Sequence, residues 1–279
     1  MSDFAPWLAN PTYEVFPAAG IEASVAEHLP AGSRVAITHS PRHGVARSAE
    51  IACALAAEGY EPVLHVAAKG TPSQALLEEV AGRARAAGVE EAFVVGGDGE
   101  APSGPFANAS ELLAAIVALP DPFPRIGVGG HPEGHPHASE DDLLAALLEK
   151  QRLGASYVAT QMCFDADAWR AWAARIEAAG VTLPLSVGVP GVVSRRKLLE
   201  IGIKAGAGPS LRALKGQKGF ALRALGGGAY APVELLSALA ADPDEQTRRI
   251  ESLHLFTFNS LDATVAWVQR AQASSGVQI

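Results

Sequence analysis

Cysteine is almost absent from this sequence, which has only two in 279 residues. Cys53 lies in a helical pattern and Cys163 in a strand pattern, so neither has the paired spacing of a disulfide framework or a zinc site. This scarcity indicates a reducing compartment, and we expect the protein to reside in the cytoplasm.

Basic residues and long apolar runs are also scarce. The 22 Lys and Arg residues stand against 30 Asp and Glu residues, a formal net charge of −8, and no basic run could neutralise a phosphate backbone. The N-terminus MSDFAPWLANPTYEVF lacks the basic start and apolar stretch of a signal peptide, and no apolar run reaches the roughly 18 residues of a membrane helix. We therefore expect a soluble protein that binds neither nucleic acid nor a membrane.

Aromatic residues make up 6% of a chain that is 48% hydrophobic, so an aliphatic core is expected. Short β-branched or apolar runs alternate with longer runs of helical period, which is typical of consecutive βα units. The predicted strands lie at 12–16, 34–38, 61–66, 91–96, 125–129, 157–161, 184–189 and 253–258. The predicted helices lie at 21–29, 44–58, 73–87, 108–119, 139–153, 166–179, 194–205 and 260–271.

Eight such units close most naturally into an α/β barrel, the (β/α)8 TIM barrel, for which the chain length is ordinary. We predict one domain over residues 1–279 with an insertion at about 206–250, before the last strand. Within this insertion KGQKGF and GGGAYAP indicate loops, and 232–241 and 243–251 indicate extra helices.

Polar residues recur where the predicted strands end, and the active site of such a barrel lies at the C-terminal ends of its strands. These residues are Glu14, Thr38, His39, His65, Asp98, His131, Glu133, His135, Gln161, Thr257 and Asn259. Their recurrence indicates a polar site at this end of the predicted barrel.

Three of these residues carry carboxylates, namely Glu14, Asp98 and Glu133. Glu14 lies in the otherwise apolar YEVF, where a carboxylate facing the interior is costly to ionise and suits general acid catalysis; the alternative is a solvated or arginine-paired side chain. Asp98 lies in VVGGDGE, whose glycines allow close approach of a ligand, and it could stabilise a cation. The alternative for Asp98 is a turn residue that caps the next element.

The segment GVGGHPEGHP places His131, Glu133 and His135 at alternate positions. Its prolines and glycines exclude the helix that would show both histidines on one face, so we predict ligand contacts or a turn and no metal site. Gln161 ends YVATQ, where its amide could pair with an amide-like heterocycle or bond within the barrel.

Taken in their order along the chain, six motifs of this sequence resemble those of the methylenetetrahydrofolate reductase family. YEVFP at 13–17 is similar to F-E-(F/V)-F-P, LHV at 64–66 to H-L-T, and GGD at 96–98 to R-G-D. GVGGHPEGHP at 127–136 is similar to G-V-A-x-Y-P-E-x-H-P, GASYVATQMCFD at 154–165 to G-A-x-x-x-x-T-Q-x-x-F-D, and LHLFTFN at 253–259 to H-F-Y-T-L-N. The resemblance spans about 13–260, nearly the whole chain, and implies a barrel enzyme of folate chemistry.

The resemblance also implies roles for single residues. Glu14 corresponds to the general acid that protonates the folate N10, Asp98 to the aspartate that stabilises the resulting iminium, and Gln161 to the glutamine that binds the pterin. Further substrate contacts are expected in the closing motif, at Thr257 and Asn259. Cofactor contacts are expected at Thr38, His65, Gly97, His131, His135 and Lys150, the last by its place in LLEKQRLGA.

The implied substrates are tetrahydrofolate and NADH or NADPH, and the family also implies FAD. The sequence departs from the family at the flavin site, because Gly96 replaces a cationic arginine and His131 replaces a tyrosine whose ring packs on the flavin. HSPRHGVARS likewise replaces the glycine/serine stretch after the second strand. These departures argue against tight FAD binding and leave open direct hydride transfer between nicotinamide and folate.

Two other functions stay open. A methyltransferase that uses methyl-tetrahydrofolate would employ Asp98 to protonate the pterin and would need no redox cofactor. A folate-binding protein without turnover would retain the pterin contacts alone. A homo-oligomer is compatible with each of these readings.

Overall fold

The computed structural model describes residues 4–40, 43–97, 102–194, 196–198, 229–241 and 243–274. Its strands are β1 (Thr12–Val15), β2 (Arg34–Ile37), β3 (Glu61–Ala67), β4 (Glu91–Val95), β5 (Arg125–Gly130), β6 (Tyr157–Thr160), β7 (Leu185–Pro190), β8 (Val193–Ser194), β9 (Ala229–Tyr230) and β10 (Ile250–Phe256). Its helices, after a 3₁₀ turn at Ala5–Leu8, are α1 (Ile21–His28), α2 (Gly44–Ala57), α3 (Gln74–Ala86), α4 (Ala109–Val117), α5 (Glu140–Arg152), α6 (Ala166–Ala178), α7 (Val233–Ala241), α8 (Glu245–Arg248) and α9 (Leu261–Ser274).

Strands β1 to β7 and β10 form a closed barrel in the order β1-β10-β7-β6-β5-β4-β3-β2. Each of β1 to β6 is followed along the chain by a helix, and β10 is followed by α9. This alternation confirms the predicted (β/α)8 TIM barrel. None of the helices within the described ranges is long and apolar enough to cross a membrane.

The chain divides into two compact units. Unit I comprises Thr12–Gly129 and Leu148–Val158, and unit II comprises Met1–Pro11, Gly130–Leu147 and Ala159–Ile279. The predicted organisation of residues 1–279 as one domain stays a prediction.

A buried ion pair lies where the strands of unit I begin. The guanidinium Nη2 of Arg34, at the start of β2, donates to both carboxylate oxygens of Glu91, at the start of β4, at 2.6 Å. Burial opposes the charge on Arg34, but Glu91 outweighs burial, and the pKa of Arg34 is raised. Burial and then Glu91 raise the pKa of Tyr157, so its phenol stays protonated and donates to the same carboxylate. The Arg125 guanidinium lies 4.6 Å from the centre of the Tyr157 ring.

Replacing Glu91 by alanine is expected to lower the free energy of unfolding by about 3–5 kcal/mol, because Arg34 is then left buried without its counter-charge. Urea denaturation of the two proteins measures this difference. Glu79→Ala is the matched control, since Glu79 pairs with Arg83 at 3.9 Å with 63% of its side chain exposed, and it should change stability by less than about 0.5 kcal/mol. Equal effects of the two substitutions would contradict the account.

Gly127 in β5 leaves the space that the Tyr157 ring occupies. A Cβ atom at Gly127 would lie 2.3 Å from Cζ of Tyr157 and 2.6 Å from Cδ2 of Phe93. Both rings are buried, so neither can turn away without disturbing its neighbours. The glycine is therefore a packing requirement of the interior of unit I.

Gly127→Ala is expected to destabilise the protein by about 1–3 kcal/mol through overpacking, seen as a lower midpoint of thermal or urea unfolding. Gly82→Ala serves as the control, because a Cβ atom there meets nothing within 4 Å on the exposed face of α3. That substitution should be neutral or stabilise by up to about 1 kcal/mol, since alanine favours a helix. An unchanged stability of Gly127→Ala would contradict the tight packing of Gly127 against Tyr157 and Phe93.

The structure corrects the predicted bounds near the last strand of unit II. The predicted helix at 243–251 is wrong in its second half, because α8 ends at Arg248 and β10 begins at Ile250. Asp244 caps α8 by accepting from the Thr247 N–H, and β10 pairs with β7 through a bulge between Ile250 and Ser252. That bulge hides the two-residue alternation from which a strand is recognised.

Little of the predicted insertion can be compared with the structure. Residues 201–228 and most of the predicted helix at 194–205 lie outside the described residues. Within the part that is described, the loop predicted for GGGAYAP is wrong at Ala229–Tyr230, which pairs with β8 in an antiparallel two-stranded sheet. So short a strand has no periodicity that a sequence could reveal.

Candidate functional site

Glu14 and His65 form the polar centre of unit I. In β1 the side chain of Glu14 is 12% exposed, whereas its neighbours Tyr13 and Val15 are buried. Its carboxylate Oε2 lies 4.0 Å from Nε2 of His65, on β3. The His65 ring lies on Phe93 with ring centres 4.7 Å apart. A carboxylic acid is thus held out of water beside an imidazole, which suits proton transfer.

The loops that follow β3 and β4 are joined to each other through their backbones. Ala68 N–H donates to Val95 O at 2.9 Å, and Lys69 N–H donates to Gly96 O at 3.0 Å. Gly97 has φ +83°, and a Cβ atom there would meet the Ala67 Cβ at 3.1 Å, so the position requires glycine. Asp98, the predicted second carboxylate, lies outside the described residues.

Two other residues of unit I that were predicted to contact a cofactor are Thr38, which is half-buried, and Lys150, which is buried. Thr38 donates its N–H to Val15 O at 3.0 Å, and its Oγ1 is buried without a hydrogen-bond partner among the described residues. Lys150, near the end of α5, is buried, and burial lowers its pKa while Glu149 acts in the opposite direction. An unsatisfied hydroxyl is the feature expected of a group that contacts a ligand.

In unit II, the residues after β5 form a tight turn. Gly134 N–H donates to His131 O at 3.1 Å, and Gly134 has φ +84°. Proline in the second position and glycine in the fourth are typical of such a turn. The rings of His131 and His135 pack edge to face with centres 5.1 Å apart, so the structure brings these two predicted residues together.

The His135 ring is oriented by the chain beyond it. Its Nδ1 accepts the N–H of His137 at 3.2 Å, which leaves Nε2 as the protonated nitrogen of a neutral ring. In unit I, Glu14 and His65 are residue types that can bind metals. The predicted absence of a metal site therefore stays a prediction.

Gln161 follows β6, and its side chain is exposed while its backbone is held on both sides. Gln161 N–H donates to Gly130 O at 2.8 Å, and its carbonyl accepts from the Cys163 thiol at 2.9 Å. Burial, and then Glu133, raises the pKa of Cys163, so the thiol keeps the proton that it donates. Cys163 N–H in turn donates to Gly188 O at 2.9 Å.

Thr257 and Asn259, the predicted contacts of the closing motif, share one strained turn. Phe258 and Asn259 have φ +51° and +58°, a conformation that a phenylalanine rarely adopts. Ser260 N–H donates to Thr257 O at 2.9 Å, and Lys197 Nζ donates to Phe258 O at 3.0 Å. The strain is offset by burial of the Phe258 ring in an apolar cluster that also contains Met162, Phe164, Val193, Leu198 and Tyr230.

Sequence reasoning missed three residues that organise unit II. They are Cys163, for which only a strand pattern was noted; Lys197, which was not singled out; and Glu133, which was predicted to make ligand contacts or to belong to a turn. Glu133 Oε1 accepts the N–H groups of Phe164 at 2.6 Å and Asp165 at 2.9 Å. Its place in the HPEG turn is readable from the sequence, but its partners are 31 and 32 residues away along the chain.

This chain matches a protein-family model. The family model described as methylenetetrahydrofolate reductase matches residues 23–202, more than half of the chain. That range contains Asp98, Lys150 and Gln161. Glu14 precedes it, and Thr257 and Asn259 follow it, so their roles depend on the motif resemblance.

Two fungal relatives carry the same name. Methylenetetrahydrofolate reductase 2 of Saccharomyces cerevisiae is 26% identical over 153 residues, which are 51% of this chain and 25% of that protein. Methylenetetrahydrofolate reductase 1 of Schizosaccharomyces pombe is 35% identical over 85 residues, 30% of this chain and 14% of that protein. The matched regions therefore span a quarter or less of these relatives.

Solved structures with the same fold are more distant in sequence. A Clostridium thermocellum protein that binds two copies of 5-methyl-5,6,7,8-tetrahydrofolic acid has TM-score 0.59 at 11% identity, over 95% of this chain and 96% of that one. An oxaloacetate acetylhydrolase has TM-score 0.53 at 10% identity, over 98% and 85%. At such identities the likeness concerns the barrel alone, and it is the family match over residues 23–202 that shows that this chain belongs to the methylenetetrahydrofolate reductase family.

Proposed function

We propose that this protein is an oxidoreductase that interconverts 5,10-methylene- and 5-methyl-tetrahydrofolate, with NADH or NADPH as the hydride donor. The observation that carries the proposal is the enclosed carboxyl group of Glu14, 4.0 Å from His65, in a chain of this family. The Clostridium thermocellum barrel that binds methyl-tetrahydrofolate is in keeping with a folate substrate.

The proposed reaction starts with a proton. Glu14 protonates N10 of methylene-tetrahydrofolate, the bond from N10 to the methylene carbon breaks, and an iminium remains at N5. Asp98 stabilises this cation, and Gln161 holds the pterin by paired hydrogen bonds. A hydride from the nicotinamide then adds to the methylene carbon, which becomes a methyl group as the nicotinamide is oxidised. The reverse sequence oxidises methyl-tetrahydrofolate.

We propose that this site does not hold the flavin that the family implies. A Cβ atom at Gly96 would meet nothing within 4 Å, so the space that the family's arginine would enter is open among the described residues. His131 is turned edge to face on His135, where the family has a flat tyrosine ring. We therefore propose that hydride passes directly between nicotinamide and folate, with Thr38 and Lys150 contacting the nicotinamide nucleotide.

Glu14→Gln is expected to lower kcat for methylene reduction by a factor of about 100 or more, because the amide cannot donate the N10 proton. The dissociation constant for methyl-tetrahydrofolate should change by less than about threefold, since the shape of the site is kept. Steady-state kinetics and calorimetry measure the two quantities. Glu27→Gln is the control for the same chemical change at a side chain that is 74% exposed. Unchanged turnover in Glu14→Gln would remove this residue from the mechanism.

The purified protein is expected to lack the visible absorption band of a flavin, and added FAD should not raise its rate of NADH- or NADPH-dependent turnover. A yellow protein with one flavin per chain, or turnover that requires FAD, would contradict direct transfer while leaving the folate chemistry in place. Turnover of methyl-tetrahydrofolate only in the presence of a methyl acceptor would instead identify the methyltransferase.

The proposed setting is a reducing cytoplasm, in keeping with the two free thiols at Cys53 and Cys163. The proposed partners are folate and nicotinamide alone, without nucleic acid, and assembly into a homo-oligomer is compatible with this function. Sedimentation in a reducing buffer measures the assembly state directly.

A further inference from the structure

Glu133 is a partly buried carboxylate to which the proposed reaction assigns no role. It lies in the turn between His131 and His135, after β5, yet its hydrogen bonds reach the segment after β6. Oε1 accepts two consecutive backbone N–H groups, those of Phe164 and Asp165. Charge-assisted bonds to backbone N–H groups are stronger than neutral ones, so this carboxylate fixes the backbone it contacts.

The two contacted N–H groups stand immediately before α6. Asp165 is the N-cap of α6, and its Oδ1 accepts from Asp167 N–H at 2.9 Å and Ala168 N–H at 3.1 Å. The start of a helix carries partial positive charge, which favours a nearby carboxylate. Glu133 therefore anchors the entry of α6 to the turn after β5.

The anchored segment is the one that carries Gln161. The Cys163 thiol donates to Gln161 O, and Cys163 N–H donates to Gly188 O, so Gln161 and Phe164 belong to one short hydrogen-bonded segment. The bonds of Glu133 at Phe164 and Asp165 are part of what fixes the position of that segment. The HPEG turn, by contrast, is closed by its own bond from Gly134 to His131. Loss of the Glu133 carboxylate should thus disturb the segment of Gln161 more than the turn of the two histidines.

We infer that Glu133 is a positioning residue, which sets the side-chain amide of Gln161 for the pterin by clamping the backbone at Phe164 and Asp165. This inference rests on the proposed function, in which Gln161 binds the pterin. The second carboxylate oxygen, Oε2, is buried and has no partner among the described residues. A glutamine keeps one acceptor oxygen for the two N–H groups, but it loses the charge and places an amide nitrogen at the position of the buried Oε2. It should therefore restore part of the clamp that alanine removes.

The test is a set of variants assayed with 5-methyl-tetrahydrofolate and nicotinamide. Glu133→Ala should weaken methyl-tetrahydrofolate binding about tenfold or more, because small misplacement of a positioning contact is costly. KM for the nicotinamide should change by less than about twofold, and Glu133→Gln should recover folate affinity to within about threefold of the wild type.

A double-mutant cycle ties the effect to Gln161. If Glu133 acts through Gln161, the double variant Glu133→Ala with Gln161→Ala should bind folate as weakly as Gln161→Ala alone. Additive losses would overturn the inference. Asn108→Ala is the stability control, because it removes the cap of α4, a helix of unit I, where Asn108 Oδ1 accepts the Glu111 N–H at 3.0 Å. It should leave folate affinity unchanged.

Two outcomes separate this inference from the proposed function. A wild-type protein that binds no folate overturns both. A wild type that binds and turns over folate, with Glu133→Ala unchanged in affinity, overturns the clamp alone. Hydrogen exchange gives a reading independent of turnover. The amides of Phe164 and Asp165 should lose protection in Glu133→Ala and keep it in Asn108→Ala. Preserved protection in Glu133→Ala would contradict the clamp.

Discussion

A carboxyl group kept from water beside an imidazole is the constraint on which the account of this protein depends. Glu14 stands on a strand whose neighbouring residues are buried, and its carboxylate is 4.0 Å from His65. This geometry shields the carboxyl group from most of the solvent and places an imidazole beside it, and the proposed function makes this group the general acid.

The two ends of the strands serve different purposes. Where the strands of unit I begin, the ion pair of Arg34 and Glu91 and the ring of Tyr157 fill the interior tightly enough that only glycine fits at position 127. Where the strands of unit I end, backbone bonds hold the loops, as in the loop pair after β3 and β4. Tight packing at one end gives a fixed base on which polar loops at the other end can be set.

The order of elements could be predicted because it follows from local periodicity. RVAI is a short apolar run typical of a buried strand, and IACALAA places Ile51 and Leu55 four residues apart, on one face of a helix. The bounds of β10 could not be predicted, since a bulge at Ile250 breaks the alternation that marks a strand. The left-handed Phe258 was equally out of reach, because its conformation is set by burial against residues far away along the chain.

Candidate site residues could be predicted from the sequence where they lie in recognisable motifs. Glu14 and His65 were predicted at strand ends, and the structure brings them within 4.0 Å of each other. His131 and His135 were also predicted, and their rings pack together. The turn at Glu133 was among the predictions, but its two N–H partners could not be predicted, because they lie 31 and 32 residues away along the chain. Long-range hydrogen bonds of this kind arise only when the loops meet in the folded chain.

The account claims that this protein moves a hydride between a nicotinamide and the one-carbon unit of tetrahydrofolate without an intermediate carrier. Reduction of methylene-tetrahydrofolate with NADH or NADPH deuterated at the transferred position, followed by mass spectrometry of the product, tests this claim directly. The account predicts one deuterium in the methyl group of 5-methyl-tetrahydrofolate. A methyl product without deuterium, or no reduced product, would contradict it.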